Sequence, residues 1–78
     1  MLAMGALMAL SIRQYDMLER AIVDGTRLSI WRRGTEYIVI PESLRIRLGR
    51  EFIEARHPST GHRLELYIED IDSFEVVE

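Results

Sequence analysis

Along residues 11–74 the spacing of apolar side chains changes from about 3.6 residues to about 2, the pattern of one amphipathic helix followed by a series of strands. Tyr15, Leu18, Ala21 and Ile22 share one face of a helix over residues 12–24, with Met17 at its margin. Asp16, Glu19 and Arg20 point away from that face, and Ile12 and Val23 fall on the outward side beside the two acids. Ser11 followed by Gln14 makes a capping box, and Gly25 supplies a left-handed residue to end the helix. Residues 27–32 then alternate, with Leu28 and Ile30 on one side and Arg27, Ser29 and Trp31 on the other. Arg33 and Gly34 form a turn, and residues 36–40 have the β-branched content of a second strand, which Pro41 is expected to end. Residues 42–49 interleave Leu44, Ile46 and Leu48 with Arg45 and Arg47, a pattern that suits either a strand or an irregular crossing segment. Residues 51–56 and 63–68 read as strands three and four, joined by a loop over residues 57–62 that contains Pro58 and Gly61. Glu69 and Asp70 suit a single helical turn, and residues 72–77 form the last strand. This order predicts a mainly β domain over residues 11–78, a small five-stranded barrel with one N-terminal helix as its lid.

A length of 78 residues leaves room for one domain with one modest core. The chain has no cysteine, so disulfides and thiolate-metal sites cannot supplement that core, and a reducing cytoplasm is the expected compartment. Residues 1–10 are almost wholly apolar, with three candidate start methionines at Met1, Met4 and Met8. They lack the basic start and the length of a signal peptide or a membrane span, so neither secretion nor a membrane partner is expected. A run of that kind is better buried against a second chain, which makes this tail, or an open strand edge, a candidate route to a homo-oligomer.

All ten basic residues are arginine, the side chain that holds carboxylates and phosphates in fixed bidentate geometry. Residues 27–63 carry eight of them against Glu36, Glu42, Glu51 and Glu54, whereas residues 64–78 carry six acids and no base. With a net charge of −3 the chain is not built mainly for phosphate neutralisation, although a local basic face remains conceivable. The simplest reading pairs these opposite charges across strands.

Candidate chemistry is sparse. His57 and His62 bracket the loop, with Glu54 or Glu65 as a third group, but the spacing is not that of a zinc site. Ser59 and Thr60 have no base and orienting acid in a nucleophile motif, and glycine occurs singly instead of in a phosphate-cradling loop. Glu65, Glu69, Asp70 and Asp72 lack the spacing of a calcium loop. A catalytic role, a metal and a cofactor are all unexpected, and a binding module is the class that remains. Trp31 followed by Arg32 and Arg33, together with Arg45 and Arg47, would suit a surface on which nucleic-acid bases stack. An aromatic in that setting equally suits a protein interface.

Tyr15-Asp16-x-Leu18-Glu19-x-Ala21, Leu28-Ser29-Ile30, Glu51-Phe52-Ile53, Arg63-Leu64-Glu65-Leu66 and Ile71-Asp72-Ser73-Phe74 are collinear, with small gaps, with the Rho-binding antiterminator family, Rof, which the chain resembles over most of its length. The resemblance implies an Sm-like (SH3-like) small barrel with an N-terminal helix that binds the transcription terminator Rho and blocks its access to RNA. It further implies that Tyr15, Asp16 and Glu19 would meet the partner's basic RNA-binding surface. The outline over residues 18–22, Gly25, Pro41, residues 49–55 and residues 68–76 is also similar to WYL domains, which implies a stand-alone module for single-stranded nucleic acid or a nucleotide. Asp70 stands where both families carry a basic residue.

Overall fold

The computed structural model describes residues 10–77; the apolar run expected to form an N-terminal tail lies, but for Leu10, outside the described residues. The chain is mainly β, with one helix, α1 (Ile12–Asp24), and five antiparallel strands: β1 (Leu28–Arg32), β2 (Thr35–Arg47), β3 (Arg50–Arg56), β4 (Arg63–Tyr67) and β5 (Ile71–Val76). A 3-10 turn, Ile68–Asp70, joins the last two strands.

Both ends of α1 follow from local chemistry. The Ser11 hydroxyl accepts the Gln14 amide at 3.2 Å, and the Gln14 side chain accepts the Ser11 amide at 2.8 Å, so two otherwise orphaned donors are satisfied. At the other end Gly25 adopts φ 70°, and the Gly25 and Thr26 amides both reach the Ala21 carbonyl. Glycine takes this left-handed conformation without a Cβ clash.

The hydrogen-bonded strand order is β4-β3-β2-β1-β5. β2 is the spine, pairing with β1 along its first half and with β3 along its second. The expectation that Pro41 ends a strand is corrected: β2 runs through Pro41 to Arg47, and the ambiguous residues 42–49 are its second half and the following turn. Proline is accommodated because the β1 ladder stops at Leu28 opposite Val39, so no donor is required on that side beyond it. The register with β3 shifts between Pro41 and Ser43, a bulge that bends the strand and swings its second half into a new direction. The expected closed cylinder is also corrected. β4 and β5 are the two ends of the sheet, because β5 leaves the 3-10 turn to pair with β1 and not with β4.

The two halves of the bent sheet bury one continuous core. Leu28, Ile30, Val39, Ile53, Ala55, Leu66, Ile68 and Phe74 point into it, and α1 covers it with Leu18 and Ala21. Each fully buried leucine or isoleucine contributes about 1.5–3 kcal/mol, so this cluster supplies most of the burial available to so short a chain. Ser29 keeps the expected outward placement but is not solvated there. It lies on the face away from the core, yet only 3% of it is exposed, because β1 is an inner strand with Ile38 and Glu75 flanking Ser29 on either side. Its hydroxyl donates to Glu36, which satisfies the buried polar atom.

Candidate functional site

Two charged surfaces differ in how much of their charge is left for a partner. The first is the outer face of the half-sheet formed by β4, β3 and the second part of β2. Alternation along β3 sends Ile53 and Ala55 to the core and Phe52 and Glu54 outward. Phe52 stacks on Tyr67 of β4 with ring centroids 5.3 Å apart. The Arg47 guanidinium lies over Phe52 at 4.6 Å and that of Arg50 over Tyr67 at 4.1 Å, so two aromatics are covered by two cations.

Those cations already have carboxylate partners. Arg47 makes a bidentate pair with Glu65 at 2.8 and 3.0 Å, and Arg50 holds Glu69 at 2.8 Å. Arg45 reaches Glu54 at 3.1 Å, Arg56 and Arg63 converge on Glu42, and Arg33 binds Asp70 at 3.0 Å. Asp70 is thus the counter-ion of Arg33. Directly opposed strand residues are alike in charge, as in Glu54 against Glu65 and Arg56 against Arg63, and the diagonal Arg–Glu pairs offset that repulsion. The Arg47 guanidinium holds the Glu65 carboxyl below the ordinary carboxylate range. Glu54 is lowered too, chiefly by the Ser43 hydroxyl and then by Arg45. The reading of strand-paired charges therefore describes this face.

The second surface is the outward side of α1. Asp16 and Glu19 are exposed, and among the described residues neither takes part in an ion pair. Val23, 83% exposed, lies with Asp16, Glu19, Arg20 and Asp24 around a shallow depression. Helical spacing put Asp16, Glu19, Ile12 and Val23 outward, and the structure places them there.

Tyr15 stands apart from these two acids. Its ring is half-buried and its hydroxyl donates to the Glu51 carboxylate on β3, which ties the first turns of α1 to the sheet. That hydrogen bond, with burial and the nearby Glu51 charge, pushes the Tyr15 pKa up to about 12. The contact anchors to β3 the helix that carries Asp16 and Glu19.

The residues of the expected nucleic-acid face do not assemble into one patch. Trp31 is 40% exposed, and its cross-strand neighbours are Glu36 and Ser73. Arg32, next in the strand, projects to the opposite face, where it donates to the Tyr37 hydroxyl at 3.1 Å and covers that ring. Arg33 is drawn to Asp70, while Arg45 and Arg47 belong to the paired lattice of the other half-sheet. The two histidines hold their own loop. His57 Nδ1 accepts the Ser59 and Thr60 amides, and the His57 amide donates to the His62 carbonyl at 2.8 Å. Among the described residues no group of three metal-ligating side chains converges, and no helix is long and apolar enough to cross a membrane.

Sequence reasoning missed the aromatic-arginine lattice, although a signal existed. Phe52, Tyr67, Glu65 and Arg47 fall on matching parities of adjacent strands, which becomes visible only once the register of β2 through Pro41 is known. No family model matches the chain, and no curated protein matches it in sequence.

Proposed function

We propose that this chain is a non-catalytic binding module that meets a protein partner of basic surface through the outward side of α1, in the manner of a Rof-like modulator of Rho-dependent termination. The observation that carries this reading is the contrast in free charge. Among the described residues Asp16 and Glu19 are exposed without ion-pair partners, as are Arg13 and Arg20 on the same helix, whereas six of the ten arginines, Arg33, Arg45, Arg47, Arg50, Arg56 and Arg63, are each engaged by a carboxylate of the same molecule. The charge left to steer an encounter is negative, and a cleft lined for RNA phosphate is the chemistry it complements. Tyr15 serves this reading as a positioning residue, through its bond to Glu51. The strand order, the bent β2 and the 3-10 turn before β5 agree with an Sm-like half-open barrel as the finer description of the fold.

Replacing Asp16 and Glu19 together by arginine tests the reading, because neither side chain contributes to the core. Capture of Rho by the immobilised wild-type chain should be lost in the double variant. Equal capture by both proteins would refute the assignment of the surface, and no capture by the wild type would refute the assignment of the partner. The alternative, a WYL-like module for single-stranded nucleic acid, draws on the exposed ring of Trp31. It requires salt-sensitive oligonucleotide binding that Trp31→Ala abolishes, and the engaged arginines make such binding the weaker expectation.

A further inference from the structure

The loop between β3 and β4 holds polar groups that neither the core nor the proposed partner contact uses. Its shape is set by its own hydrogen bonds. The His57 amide donates to the His62 carbonyl at 2.8 Å, and the Gly61 amide donates to the His57 carbonyl at 2.9 Å. The Ser59 and Thr60 amides donate to His57 Nδ1 at 3.2 and 3.4 Å. A ring nitrogen that accepts carries no proton, so the imidazole is the neutral tautomer with its hydrogen on Nε2. His57 is thereby left as an uncharged hydrogen-bond donor on the surface of the loop.

His57, Pro58 and Ser59 lie with Arg27, Ile38 and Val77 around a depression of about 360 Å3. Strand pairing sets its far side. The Val77 amide donates to the Arg27 carbonyl at 3.0 Å, which places those two residues next to each other, and Ile38 sits opposite Ser29, two positions further along the chain from Arg27. The apolar part is Ile38, 36% exposed, with half-buried Pro58 and Val77. The polar part is the Arg27 guanidinium, the His57 imidazole and the Ser59 hydroxyl, and no acid is among the described residues that line it. Arg27 also differs from the six arginines held by carboxylates, because among the described residues it takes part in no ion pair. One unpaired cation and two neutral donors therefore stand beside an aliphatic wall, with their charge not cancelled by the fold.

We propose that this depression binds a small carboxylic acid with an apolar body, its carboxylate held by Arg27, His57 Nε2–H and the Ser59 hydroxyl and its body laid against Ile38, Pro58 and Val77. A planar guanidinium matches the two oxygens of a carboxylate. A single cation balances the single charge of that group, but not the larger charge of a phosphate monoester. The volume is at the small end for ligand sites, which suits one ring or one branched chain. With a net charge of −3 on the chain the attraction is local, so the affinity is modest. No residue of α1 lines the depression, so the site stands whether or not the helix face meets a partner.

Titration of the isotope-labelled full chain with phenylacetate, followed by amide chemical shifts, tests the proposal. A dissociation constant of about 1 mM is expected, the strength that roughly ten non-hydrogen atoms supply at ordinary ligand efficiency. The amides of Arg27, Ile38, His57, Ser59 and Val77 should shift along one saturation curve. Acetate, which lacks the apolar body, and benzyl alcohol, which lacks the charge, should each bind at least about 10-fold more weakly. Arg27→Gln should raise the dissociation constant for phenylacetate by about 10-fold, and because that side chain is exposed the variant should melt with the wild type. Val77→Glu, which sets an acid against the incoming carboxylate, should remove the saturable shifts. Several results would each overturn the proposal: no saturable shift, shifts scattered over the other arginines, equal affinity for acetate, or an Arg27→Gln chain that binds as the wild type does. Tighter binding of inorganic phosphate, or of N-acetyl-alanyl-leucine, would overturn it in favour of a phosphate or of a peptide terminus.

Discussion

Tyr15 does two things that pull its sequence reading in different directions. Helical spacing turns it toward the core, while the resemblance to Rof would place it in a contact surface; in the structure it is half-buried and its hydroxyl donates to Glu51. Tyr15→Phe should cost about 1.5–3 kcal/mol at neutral pH, the range for a hydrogen bond to a charged acceptor. The pH dependence has a definite sign. Because the folded-state pKa is raised from 10.0 to about 12, the stability it brings is whole below pH 10 and is lost as pH climbs from there to about 12. Urea midpoints measured across that window should fall more steeply for the wild type than for Tyr15→Phe; parallel profiles would contradict the assignment. Ser29 illustrates what parity alone misses. Alternation assigns a side chain to one of two faces, but whether that face is dry depends on which strands flank it, and β5 arrives from more than forty residues away in sequence. No local pattern announces that neighbour.

At the level of elements, the parts written in short-range chemistry were legible. The boundaries of α1 followed from Ser11, Gln14 and Gly25 because capping bonds span three or four residues. Ser11→Ala should cost about 1 kcal/mol, read as a lower urea midpoint with an unchanged slope, and restoration by Ser11→Asp would confirm that the loss is one of capping. β2 was less legible. Proline removes a donor and so reads as a strand breaker, yet the cost vanishes where the partner strand has already ended. The bulge between Pro41 and Ser43 then turns what looked like two segments into one bent strand, and it aims Ile46 and Leu48 outward at its tip. Leu44 of the same strand lies beside Ile22 and Val23 of α1 at an open depression.

Across the whole molecule, the division of charge organises the account. Net charge and the count of arginines gave no indication of which groups are free, because that depends on cross-strand diagonals set by register. The lattice over Phe52 and Tyr67 also predicts a response to acid. Glu54 and Glu65 hold their carboxyls below the ordinary carboxylate range, so the stability they bring is present above that range and is lost as pH falls through the lowered values. Glu54→Gln/Glu65→Gln should therefore flatten the acid limb of the stability profile while lowering stability at neutral pH, and an unaltered acid limb would show that the lattice contributes little to folding. The same double variant frees Arg45 and Arg47, and it should gain weak, salt-sensitive affinity for an oligonucleotide that the wild type lacks. The central claim, that the chain offers a partner the acids of its helix face while six of its ten arginines are held by its own carboxylates, is tested most directly by displacement of labelled RNA from Rho. The account predicts that the wild-type chain releases the RNA in a dose-dependent way and that Asp16→Arg/Glu19→Arg does not; release by the double variant at the same concentrations, or none by the wild type, would contradict it.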